Sequence, residues 1–201
     1  MGRWSWVLAV LASLCVAACN TVAPNRLSVA DTAQLRFVGV EVRTGGAAVN
    51  WTDAEDAYLK SRNLSLTDPT LLRTPEAAAY IRGMAGQRLK AAVERALASR
   101  PEGARPARVV VTLIAADIPS AVRRVIAGGS PTIRANIEIV DARTGAVLTT
   151  YSGDQGSQAA GQGVLGVVLD GALTAGGFDD LFDRAANDFA RRFKAWLAAG
   201  A

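Results

Sequence analysis

The chain has 201 residues, half of them apolar, with a formal charge of +4 and no histidine. The missing histidine excludes Ser-His-Asp and Cys-His catalysis, histidine general-base chemistry and nearly all zinc sites. The basic residues, all but three of them arginine, interleave with acids and form no run beside stacking aromatics, so nucleic acid is not an expected partner.

At the N-terminus Arg3 is the only charge before an apolar run from Trp4 to Ala18, interrupted only by serine. A basic start, an apolar middle and small residues before a break are the parts of a secretory signal. The run stops short of the roughly 20 residues that a spanning helix needs. It ends in Val16-Ala17-Ala18-Cys19, which resembles the lipobox of bacterial lipoproteins. Cys15 fits that pattern poorly, because bulky Leu14 precedes it. The resemblance implies cleavage before Cys19 and acylation of its thiol, with palmitate among the chains. The alternatives are an uncleaved anchor helix and an ordinary cleaved signal. Asn20 follows where an aspartate would retain the protein at the inner membrane, so the same resemblance implies the periplasmic face of the outer membrane of a Gram-negative cell. Cleavage removes only Arg3 among charged residues, and it leaves Cys19, consumed by lipid, as the sole cysteine. No internal disulfide can then form, even in an oxidising compartment. The expected organisation is a signal peptide over 1–18, a lipidated N-terminus and tether over 19–33, and a single periplasmic α/β domain over 34–201.

Within the domain, Gln34 to Thr44 predicts a strand, with Val38, Val40 and Val42 alternating with Gly39, Glu41 and Arg43. Asn50 to Asn63 predicts a short helix capped by Thr52 or Asp53, with Trp51, Ala54, Tyr58 and Leu59 on one side. Thr74-Pro75-Glu76 opens a long helix to about Ser99, because it supplies a capping hydroxyl, a proline that needs no amide partner and a first-turn acid. Ile81, Ala85, Leu89, Val93 and Leu97 form its buried stripe. Gly83 and Gly86 each lower its propensity by about 1 kcal/mol relative to alanine. The near-continuous apolar segment from Arg108 to Ile118 predicts a strand well inside a sheet, parallel to the first through a helical crossover.

Ser120 to Ala127 has no decided period, and Gly128-Gly129-Ser130-Pro131 marks a turn. Ile133, Ala135, Ile137 and Ile139 alternate with polar neighbours to give a half-buried strand. Asp141-Ala142-Arg143-Thr144-Gly145 is a hairpin loop, and Ala146 to Tyr151 is the return strand. Gly153 to Gly177 is glycine-rich, and is read as an irregular crossover, lid or membrane contact. Phe178 to Ala199 predicts an amphipathic helix whose face, Phe178, Leu181, Phe182, Ala185, Phe189, Phe193, Trp196 and Leu197, admits no charge. The expected fold is α+β: a two-layer α/β sandwich with a mixed four- to five-stranded sheet and two long amphipathic helices on one face.

Candidate sites are few. Gly161-Gln162-Gly163-Val164-Leu165-Gly166 matches a dinucleotide fingerprint literally, but a polar Gly/Gln loop precedes it and no further strand follows, so the βαβ context that would aim amides at a pyrophosphate is missing. Arg123, Arg124 and Arg134 could converge near the Gly128-Gly129 turn on an anion or a partner's carboxylates, or could form a solvated face. Trp51 and Tyr58 read as core more than as a contact surface. Asp179, Asp180 and Asp183 suit a helix start better than a metal loop. No catalytic residue, metal or cofactor is expected.

The strand, the Asp141–Gly145 hairpin, the glycine-rich connection and the terminal helix, Arg108 to Trp196, resemble uncharacterised bacterial envelope lipoproteins and the small α/β domains of the TolB N-terminal region and the curli-secretion lipoprotein. This resemblance implies a non-enzymatic binding or scaffold module in envelope assembly, held to the membrane through Cys19 and meeting an envelope protein or lipid. The alternative is a lipid or small-ligand carrier with a groove between sheet and helices under the glycine-rich lid.

Overall fold

A computed structural model describes residues 23–64, 69–100, 103–156 and 180–200. A short helix α1 (Val29–Ala33) precedes strand β1 (Leu35–Arg43), and a brief strand β2 (Ala48–Trp51) leads directly into helix α2 (Thr52–Ser61). A 3-10 turn (Pro69–Arg73) and the long helix α3 (Pro75–Ala98) carry the chain to β3 (Arg105–Ile118). Helix α4 (Ala121–Ile126), the hairpin of β4 (Thr132–Asp141) and β5 (Val147–Gly156), and helix α5 (Leu181–Ala199) complete it.

The sheet has five strands in the order β1-β3-β4-β5, with β2 also paired to β3. β1 and β2 run parallel to β3, the first against Arg105–Thr112 and the second against Ala115–Ile118. β3–β4 and β4–β5 are antiparallel. The fold is therefore α+β with a mixed sheet, as the order of patterns predicts. β2 is a strand that the sequence pattern does not reveal. Its four residues are too few to establish an alternation, and its last residue, Trp51, is also the N-cap position of α2. Trp51 makes no side-chain cap bond, so neither Thr52 nor Asp53 fills the capping role expected of it.

The core lies between the sheet and the two long helices. From the sheet come Val109, Val111, Leu113, Ile133, Ala135, Ile137 and Ile139; α3 supplies Ile81, Ala85, Leu89, Val93 and Leu97, and α5 supplies Phe182, Phe189, Phe193 and Leu197. Full burial of each large side chain contributes about 1.5–3 kcal/mol. Thr74 caps α3 through Ala77 N, with Pro75 beside it, as its sequence predicts. In β1 the simple alternation fails. A bulge between Phe37 and Gly39 breaks the register, turning Val38 to solvent (50% exposed) while Phe37, Val40 and Val42 pack on the core. One extra residue in a strand shifts every later side chain by one position relative to its partner. The two α3 glycines also differ. A Cβ on Gly86 would meet Thr44 Cγ2 at 2.8 Å, whereas Gly83 faces open space. Among the described residues no helix covers the other face of the sheet, where Arg36, Glu41, Arg43, Arg108, Ile114 and Arg134 are exposed.

Candidate functional site

The described chain begins four residues beyond Cys19, and it begins docked. Trp196 Nε1 donates to Ala23 O at 2.8 Å, and Asn25 Nδ2 to Leu197 O at 3.3 Å. Asn25 Oδ1 accepts from Thr149 Oγ1 and from Leu27 N, both at 3.1 Å. Asn25 and Thr149 are each 2% exposed. A buried amide with this many partners fixes its segment, since leaving any of them unpaired costs about 1–3 kcal/mol. Farther along, Ser28 caps α1, and Arg100 donates to Thr32 O at 3.2 Å with its guanidinium over the Phe37 ring. Burial lowers the Arg100 pKa. The stretch read from sequence as a tether or an early edge strand is thus, from Ala23 on, a strap bound to α5 and β5.

The strap lies at the same end of the sheet as the β4–β5 hairpin. There Asp141 accepts from Arg143 N (3.0 Å), Thr144 N (3.1 Å) and Arg105 Nε (3.0 Å). The two backbone amides, then Arg105, hold its carboxyl below the usual aspartate value. Gly145 takes the positive φ of 75° that closes the loop. The Asp-x-x-Thr-Gly motif is therefore a self-satisfied turn.

At the opposite end the three candidate arginines separate. Arg123 grips Asp117 with both terminal nitrogens (2.6 and 2.7 Å), and Asn50 Nδ2 donates to the same carboxylate at 2.9 Å. The Arg123 hydrogen bonds, more than any other influence, lower the Asp117 pKa. Arg124 is buried at 4% exposure, and Arg134 stands exposed on the open sheet face opposite Ala115. Arg124 therefore does not share an exposed surface with the other two. Around Arg123 and Arg124, helix α4 presents Val122 and Ile126 to solvent.

Asp180 and Asp183 bind Arg88 of α3, the latter at 2.6 Å, and Asp180 also caps α5 through Asp183 N at 2.9 Å. Arg88 lies over Trp51 (5.1 Å), which stacks on Phe182 at 4.3 Å. These acids tie two helices and a strand together as an internal ion pair. Trp51 and Tyr58 are core residues, at 1% and 4% exposure. The charge-free face expected for α5 has one exception at its margin, Asp188, which is 8% exposed and held by Arg191 and Arg192. On α2, burial and then Asp56 raise the Glu55 pKa.

Among the described residues no group of histidine, cysteine, aspartate and glutamate could hold a metal. No helix there is long and apolar enough to cross a membrane. The space between sheet and helices is filled by side chains. Two shallow grooves instead run outside it, along the free edge of β1 against α3. One, of about 280 Å³, lies between Phe37 and Leu97, and the other, of about 410 Å³, between Val42 and Gly86. Cys19, the Gly161–Gly166 motif, Asp179 and nearly all of Gly153–Gly177 lie outside the described residues.

No family model and no curated protein matches the chain. Among solved structures it is similar to a putative lipoprotein from Caulobacter crescentus, at 20% identity and a TM-score of 0.31, over 57% of this chain and 81% of that one. It is also similar to the PelC dodecamer from Paraburkholderia phytofirmans, at 14% identity and a TM-score of 0.33, over 86% and 98% respectively. Neither is described as a TolB N-terminal domain or a curli-secretion lipoprotein, so the finer resemblance suggested for Arg108–Trp196 gains no support from them. Likenesses of this size do not bear on function.

Proposed function

We propose that this protein is a lipid-anchored envelope protein whose α/β domain serves as a non-enzymatic binding or scaffold module, facing the periplasm from the outer membrane. The observation that carries the proposal is Val16-Ala17-Ala18-Cys19 at the end of a short, singly basic apolar run, followed within four residues by a docked strap. Two or three acyl chains, at about 0.8 kcal/mol per buried CH₂, suffice for firm anchoring. The carrier reading lacks a supporting cavity among the described residues, because the interlayer space it requires is filled by Leu89, Val93, Phe189 and Phe193.

Radiolabelled palmitate tests the anchor. Cells expressing the full chain should incorporate label, and Cys19→Ala should abolish incorporation and shift the protein from the membrane to the soluble periplasmic fraction. Undiminished labelling of the Cys19→Ala protein would overturn the assignment.

A further inference from the structure

We infer that the strap-and-hairpin end of the domain is a bilayer-facing surface, on which Arg26, Arg36, Arg108 and Arg143 meet anionic phospholipid headgroups. The inference rests on acylation of Cys19.

The geometry starts from chain length. Four residue steps separate Cys19 from Ala23, a reach of roughly 14 Å even when fully extended. Ala23 and Asn25 are fixed to Trp196, Leu197 and Thr149, beside the start of β5 and the end of α5. The same end holds the Asp141–Gly145 hairpin and the first residues of β1 and β3, since Leu35 pairs with Arg105 and Ala107 with Asp141. The far end of the 14-residue β3 lies roughly 40 Å away at about 3.3 Å per residue. An acylated Cys19 thus holds one particular end of the domain against the membrane.

That end is basic. Arg36 lies opposite Pro106, and Arg108 two residues farther along β3 lies opposite Val140; Arg143 is in the hairpin loop, and Arg26 follows the Asn25 clasp. All four are exposed, and among the described residues none of their guanidiniums has a hydrogen-bond or ion-pair partner. The acids nearby are mostly engaged. Asp141 is held by Arg105, Asp188 by Arg191 and Arg192, and Asp31 bonds the Ser28 hydroxyl while remaining exposed. The far end has the opposite character. There Arg88 and Arg123 are bound to aspartates and Arg124 is buried, so among the described residues Arg134 is the one exposed arginine of the β3–β4 end without an acid partner, while Asp53, Glu55 and Asp56 of α2 carry no ion pair. An anionic surface therefore attracts the anchored end more strongly than the far one, where three unpaired acids of α2 oppose the contact. Each arginine near such a surface contributes roughly a fivefold gain in contact.

Full-length acylated protein, bearing a fluorophore on Thr144→Cys or on Val122→Cys, is reconstituted into vesicles of phosphatidylcholine alone or mixed equally with phosphatidylglycerol. Flotation with the vesicles reports the anchor. Quenching by a lipid-borne quencher reports which end touches the bilayer. The expected result is strong quenching at Thr144 and little at Val122 in the anionic vesicles. The Thr144 signal should fall severalfold in neutral vesicles, in high salt, and when Arg26, Arg108 and Arg143 are all changed to glutamate. Circular dichroism checks that this variant is folded; if it is not, the lipid and salt dependence of the unaltered arginines decides. Flotation with equal quenching at both ends, or with quenching at Thr144 indifferent to lipid charge and salt, overturns the surface while leaving the anchor intact. Failure to float overturns both.

Discussion

Gly83 and Gly86 show how little residue type alone decides. Both sit in the same helix and carry the same propensity penalty, yet only Gly86 lies under Thr44. Gly83→Ala should stabilise the domain by about 0.5–1 kcal/mol, the helix gain with no steric cost. Gly86→Ala should lose that gain to the contact with Thr44 Cγ2, and Thr44→Ala should restore it. Urea denaturation of the two single variants and the pair measures this; equal stabilisation by both alanines would contradict the packing described. Asp141 supplies a pH test. Its carboxyl is held below its ordinary value of 3.8 in the fold, so its contribution is complete above that value and disappears as pH falls through the lower, native one. Asp141→Asn should therefore be less stable than the parent at neutral pH, with the difference shrinking below about pH 4. Denaturation midpoints at neutral pH and at the acid end compare them.

Among elements, α5 joins three distant parts of the chain. Its first turn binds Arg88, its middle fills the core with Phe189 and Phe193, and its last turn receives the strap. Asp180→Ala removes both an N-cap and one arm of the Arg88 pair, and should cost about 1–2 kcal/mol, read as a drop in the unfolding midpoint. Phe193→Ala should cost about 3–5 kcal/mol through its cavity. The helix itself is legible in the sequence, as are α3 and β4, because caps and apolar periods are local and run for ten residues or more. What could not be read is short or non-local. β2, α1 and α4 have four to six residues each, too few for a period to repeat. The β1 bulge depends on a register that only β3 can set. The embrace of Arg88 by Asp180 and Asp183 joins positions more than ninety residues apart. For the same reason, sequence proximity grouped Arg123, Arg124 and Arg134, whereas backbone direction sends Arg124 inward.

For the molecule as a whole, the parallel arrangement of α3 and α5 follows from their cross-links, Arg88 to Asp183, Arg95 to Asn187 and Ser99 to Lys194. Both helices therefore finish at the strap end. The open face of the sheet, the free edge of β1 and the apolar tip of α4 remain exposed. Of these, α4 lies farthest from the strap.

The contact between Gly200 and the strap has a practical side. A Cβ on Gly200 would come within 2.8 Å of Val29 N, so the last described residue sits against α1. A reporter or affinity tag inserted after Gly200 would emerge on the crowded side of the protein, beside α1. Carried instead by α4, where Val122 and Ile126 face solvent, the same tag would stand clear, and capture through it would leave the strap end untouched.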